Sequence, residues 1–383
     1  MNRRFFLKCL GLSACAALGP ALSPSRAEDA GPVPAILGPE PASFEPDFAH
    51  PAMFYRKLEG SGVQCLLCPR RCSIPPGQRG HCRVRENRDG ELFTMSFGRI
   101  AAINNDPIEK KPFFHFLPGT MVLSAAAAGC NIHCKFCQNW QLSQAAPEQL
   151  DAIRLSPENL VGQAREHGIP SLAFTYSEPS VFFEFVYETA RAAREAGINF
   201  TVVSNGYINP EPVGKLAPLT SAYKIDLKSF SDDFYRDYCQ ARLDPVLKTL
   251  ETLAASDAWL EIVNLVLPTA NDSEKEIRTM AAWIKKNLGD SIPIHFTRFH
   301  PMYKLLNLPP TPVSTLEACH AAAKSEGLKY VYVGNVPGHP LECTYCHNCG
   351  EMVVRRTGLW AVESHLDHGA CPKCRTAIPG VWV

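Results

Sequence analysis

The sequence predicts an α/β fold, a partial parallel (β/α)6 barrel with a small cysteine-rich metal-binding module at each end. Three observations predict it. From Thr120 onward short apolar runs alternate with amphipathic stretches, the pattern of successive βα units around a parallel sheet. The chain has 16 cysteines in 383 residues, and most fall in short-spaced clusters rather than singly. Six βα units in about 180 residues also fall short of the ~250 that a closed eight-stranded barrel needs.

Taken in order, residues 1–27 resemble a twin-arginine export signal: Asn2-Arg3-Arg4-Phe5-Phe6-Leu7-Lys8 precedes an apolar stretch, and Ser25-Arg26-Ala27 supplies a small-residue cleavage site. Leu12-Ser13-Ala14-Cys15 also resembles a lipobox, with Cys15 as a lipidated first residue; ordinary cleavage is the favoured reading. The stretch is much shorter than the ~20 residues of a bilayer span, so no transmembrane helix is expected. The signal implies periplasmic export, and cytoplasmic retention is the alternative. Residues 28–58, rich in Pro, Ala and Glu, read as a linker, and residues 59–119 as an N-terminal four-cysteine module.

The barrel is assigned to residues 120–335. Strands are expected at Met121 to Ala127, Ser171 to Thr175, Phe200 to Ser204, Ala222 to Leu227, Leu260 to Leu267 and Ile292 to Phe299, with another at Tyr330 to Val333. Ser156-Pro157 and Glu178-Pro179-Ser180 open helices, and Ala196-Gly197 closes the second of these. Phe182, Phe185, Val186 and Ala190 share one face of that helix and read as core. Residues 340–383 form a C-terminal zinc-ribbon-like module.

Composition excludes some classes. Apolar residues make up 46% of the chain and 38 basic residues balance 38 acidic ones, which argues against a disordered chain and against nucleic-acid binding driven by bulk charge. The cysteine clusters read as metal thiolates, since disulfide frameworks serve small secreted domains that lack a core of this size.

Gly129-Cys130-Asn131-Ile132-His133-Cys134-Lys135-Phe136-Cys137 is a C-x3-C-x2-C loop directly after the first barrel strand. Three thiolates from one loop suit three corners of a four-iron four-sulfur cube and leave the fourth iron without a protein ligand. The bland alternative is a closed zinc site with His133 as fourth ligand. Cys346-x2-Cys349 and Cys371-x2-Cys374 have the spacing of two zinc-ribbon knuckles, with Val353, Val354, Leu359, Trp360 and Val362 as a small hairpin between them and Cys343 spare. Cys65, Cys68, Cys72 and Cys82 are four thiolates whose uneven spacing suits zinc or a second iron–sulfur cluster. The arginines around them, Arg70, Arg71, Arg79, Arg83 and Arg85, read as a solvated surface, with a docking face for an electron donor as the sharper idea. Cys239 and Cys319 read as buried small hydrophobes.

These motifs resemble the radical SAM signature, and the surrounding chain is similar to the pyruvate formate-lyase activating enzyme group. Tyr176-Ser177-Glu178-Pro179 stands where that group has a Gly-Gly-Glu-Pro turn, Ser204-Asn205-Gly206-Tyr207 resembles its Thr-Asn-Gly segment, Ile225-Asp226-Leu227-Lys228 resembles its Asp-Leu-Lys motif, and Phe299-His300-Pro301 carries its ribose-contacting histidine. The resemblance implies S-adenosylmethionine (SAM) held by Phe136, Glu178, Ser204, Asn205, Asp226, Lys228 and His300, with Asn264 nearest the place of an expected arginine. From about Val63 to the end, Asp106-Pro107-Ile108-Glu109-Lys110-Lys111-Pro112, His115-Phe116, Gln138-Asn139-Trp140 and Ile378-Pro379-Gly380-Val381-Trp382 resemble the radical SAM component of the AmmeMemoRadiSam system.

That resemblance implies an enzyme with Cys130, Cys134 and Cys137 as catalytic cluster ligands. It would cleave SAM to a 5′-deoxyadenosyl radical and abstract hydrogen from a glycyl residue of a partner or from a small molecule. The implied partners are a low-potential donor such as flavodoxin or ferredoxin, together with Memo-like and AmmeCR-like proteins. Tyr176, Lys228, Tyr207 and Tyr303 are candidates to line the substrate side. The reading from a different class is a non-catalytic iron–sulfur electron carrier or a metal-stabilised binding scaffold, which needs no SAM pocket.

Overall fold

A computed structural model describes residues 48–383. The signal, Cys15 and most of the linker lie outside the described residues. Residues 48–58, assigned to the linker, instead contain the short strands His50–Pro51 and Tyr55–Lys57, each paired into a small antiparallel sheet of the N-terminal module.

The barrel is an eight-stranded sheet. Its strands are β1 (Ala102–Pro107), β2 (Met121–Ala126), β3 (Ser171–Phe174), β4 (Asn199–Ser204), β5 (Ala222–Asp226), β6 (Trp259–Val266), β7 (Ile294–Arg298) and β8 (Val331–Gly334). The strands from β2 to β8 run parallel in chain order, and β1 closes one edge antiparallel to β2. Helices α1 (Pro157–Glu166), α2 (Phe183–Glu195), α3 (Pro210–Leu216), α4 (Asp244–Ala254), α5 (Glu274–Asn287) and α6 (Val313–Ser325) fill the six crossovers. This is the partial (β/α)6 barrel that the sequence predicts, with the expected seventh parallel strand present. The sheet starts earlier than residue 120, because β1 comes from the stretch assigned to the N-terminal module.

Local chemistry sets the boundaries. Ser156 caps α1 by accepting a hydrogen bond from the Asn159 amide at 3.1 Å, with Pro157 fitting the first helical position. α2 follows a 3-10 turn at Pro179–Phe182 and ends before Gly197, whose φ of 70° is one that a glycine adopts without strain. Phe182, Phe185, Val186 and Ala190 are all buried in the helix–sheet layer. β3 and β8 are buried at every residue, as strands covered on both faces must be.

At the far end of the barrel Phe114, Tyr330 and Tyr332 pack with Cys346, Val353, Cys371 and Ile378 of the C-terminal module. That module holds the expected hairpin, β9 (Met352–Thr357) against β10 (Ala361–Ser364).

Candidate metal and cofactor site

β2 ends at Ala126, and the chain turns through Gly129 into the cysteine loop. Gly129 has φ 98°, and a Cβ there would lie 2.3 Å from Val84 Cγ2 and 2.8 Å from the Cys82 carbonyl oxygen, so glycine is required by both conformation and space. Backbone bonds pin the loop from several directions: Gly129 N–H to Leu142 O (3.0 Å), His133 N–H to Cys239 O (2.9 Å), Lys135 N–H to Tyr238 O (2.9 Å) and Glu178 N–H to Gly129 O (3.3 Å). Cys130, Cys134 and Cys137 thereby face one cavity of about 260 Å³. His133 is not in its lining; its ring packs at a tilt against His81, with ring centres 4.2 Å apart.

The cavity sits at the carboxyl ends of the strands, where parallel barrels place their ligands. Phe136, Glu178, Ser204, Asn205, Asp226 and Lys228 all line it. Glu178 is buried, and its carboxylate accepts from Ser180 N (3.0 Å), Ser204 Oγ (2.8 Å) and Asn205 N (2.9 Å). These bonds fix the carboxylate and leave one acceptor position on Oε2. Burial raises its pKa, against the pull of those donors.

Asn205 ties this group to the loop, donating from Nδ2 to Asn131 Oδ1 at 2.9 Å and to Cys130 Sγ at 3.5 Å. Lys228 Nζ lies 2.9 Å from Asp226 Oδ2 and 5.9 Å from the centre of the Phe136 ring. Burial alone would discharge this lysine, but the Asp226 carboxylate keeps its pKa above the usual range.

Two resemblance-based assignments fall elsewhere. Asn264 lies on the opposite face of β6 from Val263 and Leu265, which line the cavity, and it donates from Nδ2 to Leu227 O at 2.8 Å. His300 is exposed and outside the lining. Of the candidate substrate-side groups, Tyr176 and Lys228 line the cavity, Tyr207 is buried beneath Arg70, and Tyr303 stacks on Trp140 with ring centres 5.3 Å apart.

Several lining residues were not picked out from the sequence. Lys110 and Lys224 both face the cavity. Asp106 is gripped by Lys110 and Lys111 at 2.6 Å each and accepts from the Tyr176 hydroxyl, so the Asp106–Pro112 motif folds against the Tyr176 turn. Tyr176 itself has φ 66°, a left-handed conformation where the related turn has glycine. Lys224 donates to Pro112 O and sits 3.9 Å from Glu261, and burial brings its pKa down to about 7. Such residues carry no local spacing signal, because strand alternation alone places them inward.

Cys239 reads from sequence as a small hydrophobe and is indeed buried, but its thiol is close enough to Cys134 to act on its ionisation. That neighbour lowers the pKa of Cys134, whereas burial raises those of Cys130 and Cys137. In the C-terminal module the sulfurs of Cys346, Cys349, Cys371 and Cys374 all lie within 4.8 Å of one another, and Cys343 instead faces Arg356 of the hairpin.

The family model for the radical SAM superfamily matches residues 126–281, from the end of β2 into α5. An uncharacterized protein of Methanocaldococcus jannaschii is 45% identical over 316 residues, spanning 82% of this chain and 94% of that protein. A pyruvate formate-lyase-activating enzyme of Clostridium pasteurianum is 26% identical over 195 residues, 47% of this chain and 77% of that enzyme. Among solved structures, a domain of a pyruvate-formate lyase-activating enzyme from Bacteroides vulgatus matches with a TM-score of 0.39 at 20% identity, covering 43% of this chain and 98% of that domain.

Proposed function

The chain belongs to the radical SAM superfamily, and from that premise we propose that it reductively cleaves S-adenosylmethionine and abstracts hydrogen from a substrate still to be identified. One observation supports this above the rest: three thiols from a single loop share a cavity with a fixed carboxylate and a paired lysine, and no fourth cysteine or histidine lines it among the described residues. Three donors suit an iron–sulfur cube with an open corner; a closed zinc site needs a fourth, and His133 is turned away to His81.

Cys130, Cys134 and Cys137 would hold the cluster. When bound, it supplies the electron that breaks a carbon–sulfur bond of SAM to give methionine and a 5′-deoxyadenosyl radical. Glu178 offers its remaining acceptor position to the SAM ammonium. Lys228, held charged by Asp226, offers a cation on the opposite wall, and Ser204 and Asn205 keep the carboxylate aimed.

Lys110, Lys224 and Tyr176 line the same cavity and would form its substrate side, orienting a small molecule or a peptide segment. The C-terminal thiol tetrad suits structural zinc. The resemblance to the AmmeMemoRadiSam component adds Memo-like and AmmeCR-like partners and a flavodoxin or ferredoxin donor to this reading, and the resemblance of residues 1–27 to a twin-arginine signal adds periplasmic export, with cytoplasmic retention as the alternative.

The test is chemical. Anaerobically reconstituted protein with a low-potential reductant converts SAM to 5′-deoxyadenosine and methionine, and Cys134→Ala abolishes this while leaving the terminal zinc in place. A mutant as fast as wild type would refute the assignment. Deuterated candidate substrates, followed by deuterium in 5′-deoxyadenosine, then identify the hydrogen donor.

A further inference from the structure

Four thiols of the N-terminal module remain without a role. Cys65 ends the strand Val63–Cys65, its amide donating to Cys72 O at 3.0 Å; Cys68 opens the turn between them, and Cys82 precedes the strand Arg85–Arg88. All four line one hollow.

Their spacing distinguishes single-ion from cluster chemistry. Four thiolates around one zinc lie about 3.8 Å apart, given tetrahedral bonds of about 2.3 Å. The C-terminal tetrad fits that, with Cys346 and Cys374 sulfurs 3.6 Å apart and those of Cys349 and Cys371 3.7 Å apart. Among the described residues it is the one group of three or more potential ligands drawn within 4.8 Å of one another. Cys65, Cys68, Cys72 and Cys82 surround their hollow more widely, as do Cys130, Cys134 and Cys137. An iron–sulfur cube separates its thiolates in this way because each is bonded to a different iron.

A second observation points into the same hollow. Arg85 lines it and is 1% exposed, and its Nε and Nη1 have no hydrogen-bond partner although Nη2 is paired with Glu184 at 2.9 Å. A buried guanidinium with two unused donors calls for an anionic acceptor, and the sulfides and thiolates of a cluster provide one.

The geometry points to a second four-iron four-sulfur cluster held by Cys65, Cys68, Cys72 and Cys82, placed to exchange electrons with the site at Cys130, Cys134 and Cys137. The two loops touch: Asn131 lines the hollow, the Cys82 carbonyl packs on Gly129, and His81, beside Cys82, packs at a tilt against His133, beside Cys134. A one-electron donor of the flavin or iron–sulfur class is oxidised by one electron as the second cluster is reduced, and that electron passes across this contact to the first site. The binding site stands on its own observations; the electron path rests on the function proposed above.

The test uses the full chain reconstituted anaerobically. Wild type holds about eight irons and eight acid-labile sulfides, and the Cys130→Ala/Cys134→Ala/Cys137→Ala variant keeps about four of each. A variant free of iron that binds about two zinc ions instead of one overturns the inference. Should that variant not fold, reduced wild-type protein gives the answer at low temperature: two paramagnetic signals, of which SAM shifts only one. A single signal with about four irons overturns the inference yet leaves SAM cleavage intact. For the electron path, the two signals of the fully reduced protein broaden each other; two sharp, independent signals overturn it.

Discussion

At Gly129 a methyl group has nowhere to go, since the nearest neighbours are a backbone oxygen and a branched side chain that are themselves part of the adjoining four-cysteine segment. Gly129→Ala adds left-handed strain of about 1–3 kcal/mol to that clash, so the variant is expected to lose most of its iron at the three-cysteine site, measured by iron content per chain. Glu178→Gln keeps the shape and removes the anion. The binding constant for SAM should weaken about 10- to 100-fold, as loss of a charged hydrogen bond costs about 1.5–3 kcal/mol; calorimetry showing unchanged affinity would remove Glu178 from the cofactor site. Cys239→Ala tests whether the buried thiol beside Cys134 is a donor or a ligand. As a donor it stabilises the more negative, reduced state, so its loss should lower the potential on the order of tens of millivolts while iron content holds; lost iron would make it a ligand. The cysteine loop and the Glu178 turn were legible because their chemistry is written in consecutive residues. Asn264 and His300 were not, because side-chain direction depends on strand parity and on where the strand stops, and a motif match specifies neither.

Among the elements, the parallel strands announced themselves as runs of Val, Ile, Leu and Phe, since burial on both faces leaves no room for polar alternation. β1 did not. Its sequence, Ala-Ile-Asn-Asn-Asp-Pro, is that of a partly exposed edge strand, and only pairing with β2 shows it to be part of the barrel. Two motifs far apart in sequence also meet in a way that spacing could not reveal. The Val381 amide donates to His115 O at 2.7 Å, and the Leu117 amide to Val381 O at the same distance, so the C-terminal tail is clasped against the segment before β2. Arg356 of β9 reaches the same segment, donating to Phe114 O and stacking 4.1 Å from the Phe114 ring. The cysteine tetrad stands at the root of this clasp, and on the zinc reading proposed above the hairpin depends on that ion, because a piece this small buries too little apolar surface alone. Cys349→Ala/Cys374→Ala is therefore expected to bind about one zinc fewer and to become protease-sensitive between residues 346 and 383, with the barrel fragment retained. Metal loss without any new cleavage would show that the clasp holds the module unaided.

For the molecule as a whole, the barrel interior beneath the cavity is ionic rather than apolar. Glu261 on β6 accepts from the amides of Phe114 and His115, from Trp259 Nε1 and from His295 Nε2 at 2.7 Å, with Lys224 nearby. Burial lowers the pKa of His295 to about 3 and that of His115 to about 4, well under the ordinary 6.5. His295 Nδ1 has no partner, so nothing in the fold rewards a second proton there. Glu261, though buried, is held below the ordinary carboxylate range by His295 and Lys224. Each of these groups binds protons more readily in the unfolded chain, so stability must rise with pH across the interval between folded and unfolded values. For His295 that interval runs from about 3 to 6.5, for His115 from about 4 to 6.5, and for Lys224 from about 7 to 10.5. Below pH 6.5 each histidine should remove about 1.4 kcal/mol of stability per pH unit. Urea unfolding of the metal-loaded protein at pH 7.5, 6.5 and 5.5 should show the midpoint falling over the last step. His295→Asn cannot take up that proton, so its free energy of unfolding should fall less steeply than wild type over the same step, by on the order of 1 kcal/mol. Parallel curves for the two proteins would mean that His295 is already charged in the folded barrel, and that Glu261 is part of a buried ion pair rather than the acceptor of a neutral imidazole.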